Sequence, residues 1–208
     1  MADTPPIPVF DLGNVFVEWD PMLLFRKLFP SEEEAQWFYD NICTKDWNLE
    51  FDAGDNFAEG TARLISRFPK YWREIQAFDT RWWETVGPFI HGTIDIHDEL
   101  IAAEVPTFAI TNFSREKWIG CLGEWPFLEK FDGVVVSGIE KLVKPDPRIY
   151  RLFCERYGLA PETCVFIDDS EVNIASAKRF GMQTFHFTGD TKALRKELIS
   201  LGLPLKSK

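Results

Sequence analysis

The sequence predicts an α/β fold, a doubly wound parallel sheet with an all-helical segment inserted after its first strand. Three features carry that expectation. Four short apolar runs each stop abruptly at polar residues. From Gly92 onward such runs alternate with stretches of helical periodicity. Between Pro21 and Pro88 helical patterns follow one another and no strand pattern intervenes.

The first strand is the run Pro8-Val9-Phe10, which stops at Asp11 and passes through Gly13-Asn14 before apolar residues resume at Val15. Asp20-Pro21 then starts a helix, a capping carboxylate followed by proline at the first helical position, and Met22 to Phe29 supply its apolar face. Ser31-Glu32-Glu33-Glu34 reads as a capping box ahead of Ala35, Trp37, Phe38 and Ile42. Helical patterns from Phe57 to Phe68, Tyr71 to Phe78 and Thr80 to Val86 follow. We expect residues 20–88 to form a helical cap on a core built from residues 1–19 and 89–208. Asp46 to Gly54, polar and aromatic without a clean period, is the candidate for the part of the cap that faces the site, with Trp47 as a substrate contact.

In the second half, a helix from Ile94 to Glu104 leads into a strand from Val105 to Ile110, which ends at Thr111-Asn112. Ser114 caps a helix towards Leu122; a strand from Val134 to Ser137 leads to a loop carrying Lys144-Pro145. Asp146-Pro147 starts a helix that stops at Gly158, and the strand from Val165 to Ile167 ends at Asp168-Asp169. Ser170 starts the next helix, which stops near Gly181; a strand from Gln183 to Phe187 and a helix from Thr191 to Leu201 follow, and the tail from Leu205 is expected to fray. Ligands of open α/β sheets bind beyond the carboxyl ends of the strands, so Asp11, Thr111, Asn112, Lys144, Asp168 and Asp169 are expected to converge.

Composition limits the partners. The 23 basic and 33 acidic residues give a net charge of −10, which disfavours a nucleic-acid backbone or an anionic membrane. No apolar run approaches the roughly 20 residues of a membrane span and no basic-then-apolar leader opens the chain, so a soluble cytoplasmic protein is expected. Cys43, Cys121, Cys154 and Cys164 lack metal or redox spacing and read as reduced core residues. The tryptophans Trp37, Trp47, Trp72, Trp82 and Trp83 cluster in the first half, with core packing as the default reading. His91, His97 and His186 show no ligand spacing, and His186 reads as a sheet-edge histidine.

Carboxylates gathered at one sheet edge repel one another unless a cation joins them, and hard oxygens suit Mg²⁺. The ordered set of Asp, Thr/Asn, Lys and Asp-Asp resembles the haloacid dehalogenase superfamily, whose motifs are a nucleophilic Asp, a Ser/Thr, a Lys and an acidic pair. Asp11-Leu12-Gly13-Asn14-Val15 and Phe166-Ile167-Asp168-Asp169-Ser170 are the most specific matches, with Lys144-Pro145-Asp146-Pro147-Arg148-Ile149-Tyr150 next. The resemblance implies a Rossmann-like core with a cap that closes over the site. It implies Asp11 as covalent nucleophile, Thr111 as a phosphate-binding hydroxyl and Lys144 as the balancing charge. It also implies Mg²⁺ held by Asp11, the Gly13 carbonyl and Asp169, with Asp168 as a second ligand or an outer partner. Asn14 and Asn112 are candidate substrate contacts; Asn112 could instead orient Thr111. Ser170 and Asn173 are placed to hold the acidic loop, although a plain helix cap is the favoured reading of Ser170.

One departure stands out. Most phosphatases of the superfamily have an acid two residues after the nucleophile, and this chain has Gly13. The Asp-Leu-Gly-Asn form is similar to bacterial sugar-phosphate phosphatases that act on glucose 1-phosphate, so a Mg²⁺-dependent phosphatase of a small phosphorylated metabolite, possible as monomer or homodimer, is the leading expectation. A 2-haloacid dehalogenase is the alternative, since halide leaves without a proton. Lys144 and Tyr150 match its spacing, whereas Asp168 and Ser170 replace its Ser and Asn, and residues 44–52 lack its arginine. A non-catalytic metabolite-binding protein of the same fold is the third reading.

Overall fold

The computed structural model describes residues 5–206; positions 1–4 and 207–208, the extremes of the expected core, lie outside the described residues. Strand β1 (Ile7–Phe10) is followed by β2 (Val17–Trp19) and five helices: α1 (Met22–Leu28), α2 (Glu32–Asn41), α3 (Lys45–Asp52), α4 (Phe57–Arg67) and α5 (Trp72–Thr80). Next come β3 (Val86–Phe89), α6 (His91–Ala102), β4 (Phe108–Thr111), α7 (Arg115–Cys121), β5 (Gly133–Val136) and the short α8 (Ser137–Glu140). The chain closes with α9 (Pro147–Tyr157), β6 (Cys164–Asp168), α10 (Glu171–Phe180), β7 (Gln183–His186) and α11 (Thr191–Ser200).

Five strands form a parallel sheet in the order β5-β4-β1-β6-β7. Helical crossovers separate these strands and cover both faces, as parallel pairing requires. The period of two is visible in the packing. Val9, Ile110, Val135 and Phe166 enter one core with Ile149 and Phe153 of α9. Their neighbours Phe10, Ala109, Val136 and Ile167 point the other way, into a core that continues through Phe25, Phe38, Phe51 and Phe78 of the first five helices. β1 lies at the centre of the sheet, so Asp11 emerges between β4 and β6. The sheet and its inserted helices thus match the expected α/β fold.

Several elements depart from expectation in detail. Residues 80–86 do not continue as a helix. A 3-10 turn at Trp82–Thr85 gives way to β3, which pairs antiparallel with β2 through Trp19 to Val86 and Val17 to Phe89. Gly87 and Pro88 are poor helix formers between two good strand formers. A Cβ at Gly87 would lie 2.8 Å from the Glu18 Cβ, so the close pairing needs glycine there. Residues 45–52 are helical although no clean period marks them. The Thr44 hydroxyl accepts the Trp47 N–H, and Trp47 and Phe51, one turn apart, are both buried. β4 begins only at Phe108, since Pro106 offers no N–H and the Thr107 amide bonds the Asp132 carboxylate instead. At the other end, Leu205 is buried and the Lys206 backbone bonds both Glu99 and Arg195, so the described part of the tail is anchored rather than frayed.

Other signals behave as the sequence suggests. Asp20 accepts the Met22 N–H, Ser31 the Glu34 N–H and Ser114 the Lys117 N–H. The four cysteines are free and buried. Among the described residues no helix is long and apolar enough to cross a membrane. Two polar clasps join the inserted helices to α7: Asn56 donates to Glu116 at 2.7 Å, and Lys117 reaches Asp79 at 2.6 Å.

Candidate active site

The carboxyl ends of the central strands meet around one buried lysine. Nζ of Lys144 lies 2.8 Å from Asp11 Oδ1, 2.8 Å from Asp168 Oδ2 and 2.9 Å from the Ile110 carbonyl, which uses all three of its donors. Burial alone would lower the pKa of this ammonium, but Asp11 and Asp168 outweigh it and hold the group above its ordinary value. The loop that carries Lys144 is fixed from β4, because Asn112 accepts its N–H at 2.8 Å and donates to its carbonyl at 3.0 Å. From the other side, the Ser176 hydroxyl of α10 donates to the Pro145 carbonyl at 2.6 Å.

Asp11 is asymmetric. Its Oδ1 accepts both the Lys144 ammonium and the Leu12 N–H at 2.8 Å, while its Oδ2 has no hydrogen-bond partner among the described residues. Burial pushes the Asp11 carboxyl up to about 8, with Lys144 pulling it back and Asp168 and Asp169 adding to the rise. Asp168 is the opposite case. Its two oxygens take Lys144, the Ser170 N–H at 2.8 Å and the Asn173 side chain at 3.0 and 3.2 Å, and it is fully buried. Asp169 is half-buried and receives a single side-chain bond, from Asn14 at 3.2 Å. Burial and the Asp168 charge raise its pKa, opposed by Asn14 and Lys144.

The surrounding residues sort into struts and open groups. Asn14 adopts the left-handed region at φ 55°, which asparagine tolerates, and its side chain joins Asp169 to the Trp19 N–H of β2. It braces the site instead of standing free for substrate. Asn112 is likewise engaged with the Lys144 backbone, although it also lines the adjoining pocket. Thr111, buried at the end of β4, has a hydroxyl with no hydrogen-bond partner among the described residues. Asn173 holds the acidic loop as expected. Ser170 sits at the helix start, but its side chain makes no cap bond and it is its backbone N–H that reaches Asp168. Tyr150 is a buried packing residue whose hydroxyl donates to the Asn173 carbonyl at 3.1 Å. His186 lies 2.9 Å from the Asp169 carbonyl oxygen, at the edge of the sheet.

A metal-binding geometry is available. Asp11, Asp168 and Asp169 each offer an oxygen within 4.8 Å of the others. Three carboxylates against one ammonium leave two negative charges to be offset, and the donors are hard oxygens, both of which suit a small divalent cation. The bonds flanking Gly13 run from Val17 N–H to Leu12 and from Asn14 N–H to the Val17 carbonyl, which keeps the Gly13 carbonyl out of that bridge.

Next to this cluster, sharing its Gly13 and Asn112, is a pocket lined also by Trp19 of β2 and by Asn48, Asp52 and Phe57 from the inserted segment. Trp82, Phe113 and Trp125 add to a largely aromatic wall. Trp47 is not part of it. The ring packs 4.8 Å from Phe51 and 5.4 Å from Phe78, inside the helical core, because Trp47 and Phe51 occupy one face of α3 while Asn48 and Asp52 occupy the next. The segment that faces the site was legible in the sequence; the face was not. An N-cap at Thr44 with apolar residues at 47 and 51 is the signal that would have found it.

A haloacid dehalogenase-like hydrolase family model matches residues 32–181, more than half of the chain. The chain belongs to this family. Among curated relatives, (S)-2-haloacid dehalogenase 1 of Pseudomonas sp. (strain CBS-3) is 31% identical over 138 residues, 66% of this chain and 58% of that protein. A phosphorylated carbohydrates phosphatase of Thermotoga maritima is 40% identical over 72 residues, 32% of this chain and 33% of that protein. The chain therefore spans less than two thirds of the length of either relative. In fold, this haloacid dehalogenase-like hydrolase is similar to a HAD family enzyme of Bacteroides thetaiotaomicron solved with magnesium and inorganic phosphate. Their TM-score is 0.70 at 22% identity, over 90% of this chain and 96% of the other.

Proposed function

We propose that this hydrolase is a Mg²⁺-dependent phosphatase of a small phosphorylated metabolite, acting in the cytoplasm through an aspartyl-phosphate on Asp11. The observation that carries the reading is the surplus of acid around Lys144, with Asp169 and one oxygen of Asp11 left open to a cation and a substrate. Magnesium would be held by Asp11, the Gly13 carbonyl and Asp169, and when bound it supplies electrostatic neutralisation of the phosphoryl oxygens. Asp168, with every oxygen already engaged, acts as the outer partner that orients Lys144.

Oδ2 of Asp11 then attacks phosphorus, the alkoxide departs, and water later cleaves the phosphorus–oxygen bond of the acyl phosphate. Thr111 donates its hydroxyl to a phosphoryl oxygen, and Lys144 favours the ionised form of Asp11 against the effect of burial and offsets charge in the transition state. The inserted helices exclude bulk water, which strengthens each of these contacts. The proposed division into a core of residues 1–19 and 89–208 and a cap of residues 20–88 assigns chemistry to the first and selection to the second. Free, buried cysteines support the reducing compartment.

Hydrolytic dehalogenation is the second reading, favoured by the aromatic pocket wall and by likeness to the Pseudomonas enzyme. One pair of assays separates them. Phosphatase function predicts hydrolysis of para-nitrophenyl phosphate that requires Mg²⁺ and is lost in Asp11→Asn. Chloride release from 2-chloropropionate without metal, and no ester hydrolysis, would replace the phosphatase with the dehalogenase.

A further inference from the structure

We infer that Asp52, a carboxylate of the inserted helix α3, is the general acid and base of this active site, standing in for the acid that Gly13 does not provide. The inference rests on the phosphatase reading and supplies its missing proton donor. Four observations place the group. Asp52 lines the same pocket as Gly13, Asn112 and Ser114, so it faces the space next to the nucleophile's own loop. Its Oδ2 accepts the Asn48 side chain at 3.1 Å, and the Ser114 backbone N–H also faces the carboxylate. Close packing at Gly54 pins the end of α3. That residue has φ +100°, and a Cβ there would lie 3.0 Å from Lys141 Cγ and 3.2 Å from the Gly138 carbonyl oxygen of α8. Gly13, by contrast, leaves room for a side chain at the rim of this pocket, because a Cβ there would meet no atom within 4 Å.

The charges around Asp52 suit the role. Lys144 acts on it from the sheet edge and Glu18 of β2 lines the pocket with it, while Lys141 packs against Gly54. Burial pushes the Asp52 carboxyl up to about 7, against the opposing pull of Lys144 and the Ser114 N–H, so both protonation states are available near neutral pH. No other acid of the pocket is held in this way: Glu18 lies on the exposed side of the β2–β3 ribbon.

The proton balance closes over one turnover. Asp11 Oδ2 bonds to phosphorus, the ester P–O bond breaks, and the Asp52 carboxylic acid gives its proton to the departing oxygen, which leaves as an alcohol. The Asp52 carboxylate then takes a proton from the water that attacks phosphorus. The acyl-phosphate P–O bond breaks, Asp11 returns as a carboxylate, phosphate leaves, and Asp52 is again an acid.

A leaving-group series tests the assignment. Wild type, Asp52→Asn and the double variant Gly13→Asp/Asp52→Asn are compared by kcat/KM on para-nitrophenyl phosphate, phenyl phosphate and an alkyl phosphate, with Mg²⁺. Asp52→Asn keeps the shape of the side chain, so folding is read from an unchanged far-UV spectrum. The expected loss is less than about tenfold for the nitrophenolate leaving group and about 10² to 10⁴-fold for the alkoxide. The double variant regains a large part of the alkyl phosphate activity, since the space at Gly13 accepts the new side chain. A loss equal across the series, or no loss on the alkyl phosphate, overturns the assignment while the phosphatase reading stands. Failure of the wild-type enzyme to hydrolyse any ester with Mg²⁺ overturns the phosphatase reading, and this inference falls with it.

Discussion

The edge of the parallel sheet and the aromatic pocket next to it are built on opposite plans. At the sheet edge, Lys144, Asp168 and Asn112 have their polar atoms committed to named partners, and the free valences are confined to Asp11, Asp169 and Thr111. In the pocket, apolar rings from the β2–β3 ribbon, the inserted helices and the loops after β4 and α7 surround the half-buried carboxylate of Asp52, with Asn48 behind it. Committed polar groups fix a reaction centre to a fraction of an ångström, whereas rings on separate elements set shape and can change without touching that centre. The same chemistry can therefore be offered to different substrates by altering one helix face.

Removal of Lys144 should produce the largest effect. Lys144→Ala leaves Asp11 and Asp168 buried without their cation, so a loss of about 3–5 kcal/mol in stability is expected in metal-free buffer, together with a steep fall in turnover. Chemical denaturation in EDTA and a steady-state assay measure the two. An unchanged stability would mean that the acids are already neutral in the metal-free fold. Trp47→Ala sharpens the contrast from the other region. Its ring fills the helical core, so about 3–5 kcal/mol of stability should go while kcat/KM of the folded fraction stays near wild type. A selective change in substrate preference would return Trp47 to the pocket wall.

The smallest predicted effect is a pH dependence. The Asp52 carboxyl rises from its ordinary 3.8 to about 7 on folding, so the unfolded chain gives up this proton more readily than the folded one. Its contribution to stability therefore falls as pH rises from about 4 to about 7 and stays low above that. Asp52→Asn should melt at a higher temperature than wild type at pH 8, by a few degrees, and the gap should close by pH 4. Calorimetry at both values checks this; a gap that does not change with pH would mean that Asp52 is solvated like a surface acid.

Most of the polar cluster was legible from sequence because its groups follow short apolar runs, and buried parallel strands deliver whatever stands at their carboxyl ends to one edge. Asp11, Thr111, Asp168 and Asp169 obey that rule; Lys144 stands in the loop beyond α8, eight residues after β5 ends, and was found from its Lys-Pro-Asp-Pro setting. Trp47, Asn48 and Asp52 do not obey it, since which face of a helix meets a site depends on how the helix packs, and Trp47 and Phe51 claimed the core. The β2–β3 ribbon escaped for a related reason. Its strands are only three and four residues long and close a long insertion, so no local period announces the pairing. Asn14 and Asn112 lie beside the acidic cluster, bonded to Asp169 and to the Lys144 backbone, and sequence spacing alone does not tell a brace from a substrate contact.

The most direct test of the account follows oxygen. Turnover in ¹⁸O-labelled water, with each candidate substrate in turn, is followed by mass spectrometry of the product and of the peptide that contains Asp11. Attack of Asp11 on phosphorus and hydrolysis of the acyl phosphate at phosphorus predict label in the released phosphate and none in Asp11. Label accumulating in the Asp11 carboxylate during turnover of 2-chloropropionate would show water attacking a carbon ester of Asp11, and the phosphatase account would be wrong.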